Sequence, residues 1–404
     1  MKIAYLTLWL SVPPDNGVGV REYNLLNRLA ERHRLNVLAF ERVEQGMLKE
    51  WADEKFDSLT LLPSPPSPRL SLSATRTFFK RLFSYPPETF MRYQKSLLVE
   101  MLGNMLEQPS PPEVIVCNTL MLASAISNIA CTVPRVVVLY DISQILAYRH
   151  MLKTELGPYK LMYFVEWLKT RHWENRFLRS HDHFVVMSEI DKRFITRINP
   201  NAHVIVVPNG VDTQFFSFSD SIQTTSQILL VGNFAYGPNE DAFWHFYKEI
   251  FPRICEQCPQ ASLIVLGRDP TKEMCIQAQR DERLIVTGMV PDLRPYYAQA
   301  AVSVVPIRAG GGTRLKILEA FSVGVPVVST RIGAEGIECQ DGKELLLADS
   351  PDEFADKTIQ LLQNQPLRSM LARNARDLVV TRYDWSKIVL EMERVLVEST
   401  ERKL

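Results

Sequence analysis

Short runs of apolar, often β-branched residues recur along the chain, separated by longer amphipathic segments. In the first half they fall at residues 2–8, 35–40, 58–62, 114–118, 135–140, 183–187 and 204–207. In the second they fall at 228–232, 262–267, 284–286, 302–306 and 325–329. A strand of this length followed by a helix-length segment is the βαβ unit, which builds parallel sheets covered by helices. The chain therefore reads as α/β. At 404 residues it is too long for one ordinary core, so two domains are expected. The two halves share a rhythm but not a repeated sequence.

Charge excludes some partners. Lysine plus arginine equals aspartate plus glutamate, 46 each, so nothing favours nucleic acid. No apolar run approaches the roughly 18 residues that a spanning helix needs. The N-terminus (Met1-Lys2-Ile3-Ala4-Tyr5-Leu6) has one lysine and no small-x-small cleavage site, and it reads as the first buried strand rather than a leader. Six cysteines scattered over the chain fit a reducing, cytoplasmic setting. Cys255-x-x-Cys258 lacks a second pair or a histidine couple, so it reads as helix residues packing inward, with no metal site.

The most informative stretch runs from Pro306 to Ile337. A buried strand leads into Gly310-Gly311-Gly312, and Thr313 is placed to cap a helix that ends at Gly324. Strand, glycine loop and helix N-terminus form an anion-binding arrangement, in which bare amides and the helix dipole meet the ligand. Helical spacing puts Gly312, Lys316 and Glu319 on one face. That face offers a cation for phosphate and a carboxylate for the hydroxyls of a ribose. Hydrogen bonds to a charged group are worth about 1.5–3 kcal/mol each, enough to select a nucleotide.

Other loops after strands are candidates because open α/β sheets bind ligands beyond the strands' carboxyl ends. After the first strand come Gly17 and Gly19, whose amides can approach a diphosphate or sugar. Arg21 follows, either adding charge there or solvated on a helix face. Asp141 either serves an acceptor hydroxyl, as orienting group or base, or caps the next helix. Ser188-x-x-Asp191 reads as a capping box. Residues 62–69 are a proline-rich linker. Residues 75–83, basic and aromatic, are a helix that either meets a membrane or a lipid-linked acceptor, or covers the sheet.

The stretch around Gly310 resembles the C-terminal signature of retaining, family 4-like (group 1) glycosyltransferases, in the subset reading Gly-Gly-Gly-Thr-Arg-Leu-Lys. The resemblance implies the GT-B fold: two Rossmann-like, doubly wound domains facing a central cleft. The N-terminal, acceptor-binding domain would span residues 1–208 plus a crossing helix at about 383–404. The donor domain would span 213–382, after a Pro208-Asn209-Gly210 linker. Glu319 matches the second glutamate of the family's Glu-x7-Glu element, and Gly311 stands where the first would be. Tyr140 stands near the place of a histidine that many relatives carry, and Glu174 resembles a common glutamate. The loop from Gly232 to Asn239 lacks the family's arginine and lysine, which leaves Arg314 and Lys316, then Arg268 beyond Gly267, to neutralise the diphosphate. Val290 matches a segment whose backbone meets the base.

Donor contacts are thus expected from Gly17, Gly19, Arg21, Gly232, Gly267, Arg268, Val290, Gly310, Gly311, Gly312, Thr313 and Glu319. Chemistry is expected from Arg314, Lys316 and Asp141. No Asp-x-Asp occurs, so the expected enzyme needs no metal and no cofactor. It would move a sugar from a nucleotide diphosphate to a glycan or lipid-linked acceptor in cell-surface or exopolysaccharide synthesis. Its place would be the cytoplasm or the inner face of the plasma membrane. A nucleotide-sugar 2-epimerase and a catalytically silent nucleotide-sugar-binding subunit remain as alternatives.

Overall fold

The computed structural model describes the chain except residues 9, 15, 42–45, 65–82, 85–94, 155, 220–225, 311–313 and 402–404. It divides into two units, Met1–Pro208 with Ile388–Leu404, and Asn209–Lys387. The proline-rich linker and almost all of the basic, aromatic helix expected at 75–83 lie outside the described residues.

The first unit holds seven parallel strands: β1 Lys2–Thr7, β2 Arg34–Phe40, β3 Ser58–Leu62, β4 Val114–Asn118, β5 Arg135–Leu139, β6 His183–Val186 and β7 His203–Val206. Their order is β3-β2-β1-β4-β5-β6-β7. Every pairing is parallel. The direction of winding reverses between β1 and β4, which makes the carboxyl ends of those strands the natural crevice of this unit. Ala4, Leu6, Ile115, Cys117, Val137 and Leu139 share one core with helix residues such as Leu98, Leu102 and Trp173.

The second unit holds β8 Gln227–Val231, β9 Ser262–Leu266, β10 Leu284–Gly288, β11 Val302–Val305, β12 Val327–Ser329 and β13 Leu346–Leu347. Their order is β10-β9-β8-β11-β12-β13, again all parallel. Alternate side chains explain the uninterrupted apolar runs. Ile228, Leu230, Leu263 and Val265 face one core cluster, and Leu229, Val231, Ile264 and Leu266 face the other. A sheet covered on both faces has no polar side to alternate with. The winding reverses here between β8 and β11.

The strands expected from sequence all form, with ends shifted by one or two residues. β13 is too short to leave a sequence signal. The helix after the glycine loop spans Leu315–Val323 and stops at Gly324 in the left-handed conformation, φ 87°, as its glycine suggests. Its N-cap position belongs to Arg314, which makes no side-chain capping bond; Thr313, expected there, lies outside the described residues. Ser188 does cap its helix, accepting from the Asp191 amide at 3.2 Å, while its hydroxyl donates to Asp191 Oδ2 at 2.6 Å. Cys258 is in the core, and Cys255 packs beside the same cluster.

Gly267 ends β9 at φ 142°, and a Cβ there would strike the Gly232 carbonyl. Both the backbone angle and the overlap oppose any side chain. Gly267→Ala should therefore cost ~3 kcal/mol or more, seen as a lowered melting temperature by circular dichroism. Gly237→Ala is the control, with nothing within 4 Å of the added carbon, and should be neutral or slightly stabilising.

Candidate functional site

In the second unit, backbone bonds staple the loops after three neighbouring strands. Gly232 N–H donates to Leu266 O at 2.9 Å, Phe234 N–H to Arg268 O at 2.9 Å, and Gly267 N–H to Gly288 O at 3.2 Å. Gly232, Gly267 and Arg268 are thereby fixed at one edge, with Val290 two residues past β10. The loop after β8 holds its own shape through Asn239, whose Nδ2 donates to Asn233 O at 2.8 Å.

That bond turns Asn239 Oδ1 toward the helix Leu315–Val323, where it accepts from Lys316 Nζ at 3.0 Å. The ammonium therefore stands over the loop in which the expected arginine and lysine are missing. Gly310, at φ 122°, lets the Arg314 guanidinium fold against it; an added Cβ would lie 2.9 Å from Nη2. One turn beyond Lys316, Glu319 Oε2 accepts from Tyr297 OH at 3.0 Å. The same hydroxyl approaches Lys316 O at 3.3 Å. One carboxylate oxygen is thus engaged, and Oε1 is the one that can meet a ligand hydroxyl.

Burial perturbs both charges. It brings the Lys316 ammonium down to about 7, with the Arg314 charge acting in the same direction and Glu319 opposing. It pushes the Glu319 carboxyl up, against the Tyr297 hydrogen bond and the Lys316 charge. Two buried, perturbed charges one helical turn apart at the strand-end edge make this the candidate site for a charged ligand. Gly310, Arg314, Lys316 and Glu319 are brought together here; Gly311, Gly312 and Thr313, sought in the same loop, lie outside the described residues. Asn239 and Tyr297 were not anticipated. Neither has a local signal, because their partners are 77 and 22 residues away.

In the first unit, Gly17 opens the helix Gly17–Leu29, and Gly19 N–H is already bonded to Asn16 Oδ1 at 2.9 Å. The expected bare amide at Gly19 is therefore in use as part of the helix cap. Arg21 is not a solvated face residue: it is wholly buried, and its Nη1 donates to Pro208 O at 2.6 Å. Burial lowers its pKa. Glu22 beside it is equally buried. It accepts from Tyr5 OH at 3.3 Å and from Tyr140 OH, and burial raises its pKa. Its Oε2 has no partner. Tyr140, at the histidine position, thus belongs to a buried polar cluster. Glu22 follows the apolar spacing of Val18, Leu25, Leu26 and Leu29, so the sequence did carry a signal that it faces inward.

Asp141 does not cap the following helix. The helix Ser143–Lys153 has Ile142 at its N-cap, and its first amides, Ser143 and Gln144, donate to the Glu174 carboxylate at 2.9 Å each. Glu174 is therefore a structural cap supplied from another helix. Among the described residues no group of three or more acidic, histidine or cysteine side chains could hold a metal, and no helix is long and apolar enough to cross a membrane.

Residues 15–215 match the family model described as Glycosyltransferase Family 4, and residues 225–364 match Glycosyl transferases group 1. An "Uncharacterized 44.6 kDa protein in cps region" of Klebsiella pneumoniae is 22% identical over 68% of this chain and 72% of its own length. HepE of Anabaena, solved in complex with UDP-glucose, superposes with a TM-score of 0.67 at 16% identity, covering 98% of this chain and all of that one. Sucrose-phosphate synthase of Thermosynechococcus elongatus superposes at 0.68 and 15% identity, over 99% of both chains.

An anion against Lys316 favours its ammonium and raises its pKa. Binding of inorganic pyrophosphate should then take up a proton through this group above about pH 7, and none below it. Relative to Lys316→Arg, which stays charged, wild type should lose affinity as pH rises, at most tenfold per unit. Calorimetry in buffers of different ionisation heat reads the uptake. An affinity ratio that does not change between about pH 6.5 and 8.5 would remove Lys316 from the anion site.

Proposed function

Because the chain belongs to the group 1, family 4-like glycosyltransferases, we propose that it transfers a sugar from a nucleotide-diphosphate donor to a glycan or lipid-linked acceptor. Its two parallel-sheet, Rossmann-like units are the GT-B fold. The observation that carries the donor assignment is Lys316 and Glu319 on one helix face, each half-buried and each held by a neutral partner. The complex of HepE with UDP-glucose supports a nucleotide-sugar donor. The relative named for a cps region supports a polysaccharide setting, and scattered cysteines support the cytoplasm.

In this reading Glu319 Oε1 accepts a ribose hydroxyl while Tyr297 holds Oε2. The bond between the anomeric carbon and the diphosphate oxygen breaks, and charge builds on the departing diphosphate. Lys316 and Arg314 stabilise that charge more in the transition state than in the ground state. Arg268, whose backbone lies at the same edge, is the third candidate cation. Asp141 is the residue we assign to orienting the acceptor hydroxyl. The acceptor hydroxyl oxygen bonds to the anomeric carbon on the face that the diphosphate leaves and its proton passes to the departing diphosphate oxygen, so configuration at the anomeric carbon is kept. The two cations perform the work that a metal ion performs in metal-dependent transferases.

The donor is identified by screening nucleotide sugars for thermal stabilisation. Glu319→Gln should then weaken that donor about tenfold, ~1.4 kcal/mol, with the unliganded melting temperature close to wild type. Wild-type affinity in this variant would overturn the ribose assignment. Diphosphate should be released only when acceptor extract is present. Conversion of the donor alone would mark an epimerase, and binding without turnover a silent subunit.

Turnover should also survive EDTA, since amides and two cations suffice for the diphosphate. Complete loss on chelation, restored by manganese, would refute the metal-free mechanism.

A further inference from the structure

Nineteen large hydrophobic side chains are exposed among the described residues, and seven of them lie within residues 148–168. This stretch covers most of two helices, Ser143–Lys153 and Pro158–Leu178, which pack against each other as a hairpin in the first unit. Tyr148 and Leu152 stand one turn apart on the first helix. Leu161, Phe164 and Leu168 follow one face of the second. Leu156, in the connection, is 91% exposed. The Trp167 ring ties the two helices together on this side, 5.3 Å from Tyr148 and 5.7 Å from Phe164. The apolar side chains therefore form one surface running from the tip of the hairpin along both helices. A contiguous apolar surface on a folded chain marks an interaction site.

Charge chooses the partner. Between residues 148 and 172 the sequence has Arg149, Lys153, Lys160, Lys169 and Arg171 against Glu155 and Glu166. Five against two is a departure in a chain whose totals are equal at 46 each. Arg171 lies over the Trp167 ring, 5.6 Å from its centre. Lys169 Nζ donates to Ser84 O at 2.9 Å. Apolar tip, tyrosine and tryptophan at its shoulder, and a basic rim form the pattern that suits an interface of acyl chains and acidic headgroups. A second copy of the chain would bring like charge against like.

We propose that the hairpin formed by residues 143–178 binds the surface of anionic lipid bilayers. Leu156, Leu152 and Leu161 enter below the headgroups, the tyrosines and Trp167 sit at headgroup level, and Lys160 and Arg171 meet the acidic lipid. The proposal does not depend on which sugar is transferred, or on transfer at all.

Co-sedimentation of the full chain with phosphatidylcholine vesicles, with and without about 30% phosphatidylglycerol, tests it. Binding should be at least tenfold greater on the anionic vesicles, and should fall to the neutral level at about 0.5 M salt. The double variant Leu156→Glu/Leu161→Glu should lose at least tenfold in binding with an unchanged melting temperature, since both side chains are exposed. Lys160→Gln/Arg171→Gln should weaken binding without touching the apolar surface. Equal binding to neutral and anionic vesicles, no binding, or wild-type binding by either double variant would overturn the proposal. So would a dimer, seen by light scattering without vesicle binding, that Leu156→Glu/Leu161→Glu dissociates; the surface would then belong to a second copy.

Discussion

A parallel strand cannot return to its neighbour without crossing the sheet, and the crossing segment has to cover the apolar face that it passes over. Both sheets here obey that constraint throughout, with helices burying Leu229 and Val231 on one side and Ile228 and Leu230 on the other. Its consequence is directional. All strands of a sheet end at the same edge, so loops far apart in sequence share one rim. Residues near 232, 267, 288 and 310 end at one edge for that reason alone, and the backbones of the first three loops then bond to one another.

On that rim the chain places a cation and a carboxylate one turn apart and gives each a neutral partner, Asn239 for Lys316 and Tyr297 for Glu319. A fully paired lysine and glutamate would satisfy each other and leave little for a ligand. Holding each with an uncharged group keeps both oriented while leaving their charge unspent. Burial then raises the energetic stakes, because a half-buried ion gains more from a counter-charge than a solvated one does. The cost of this arrangement to the unliganded protein is part of what makes the site selective.

The fold was largely legible in sequence, because apolar runs of strand length report burial on both faces whatever else the chain does. β13 escaped because two residues carry no pattern. In the candidate site, Lys316 and Glu319 were legible through helical spacing, a local property. Asn239 and Tyr297 were not, since only the folded chain brings them near. Arg21 and Glu22 failed differently. Arg21 reads as either a ligand cation or a solvated face residue, yet both residues are buried, and Glu22 falls on the apolar stripe of its helix. Glu174 was a similar case: a helix cap is usually sought just before the helix, and this one comes from the following helix, about thirty residues on.

The buried cluster around Glu22 has a consequence for how the chain can diverge. Tyr140 and Tyr5 both donate to Oε1 of Glu22, while Oε2 and the Asn118 side-chain oxygen have no donor. Loss of either hydroxyl would deepen an existing deficit, at a cost of about 1–3 kcal/mol for each buried group left unsatisfied. Positions 5, 22 and 140 are therefore physically coupled. A smaller or differently bonding side chain at position 140 changes the balance at Glu22 as well, so the end of β5 and the helix that follows β1 form one energetic unit.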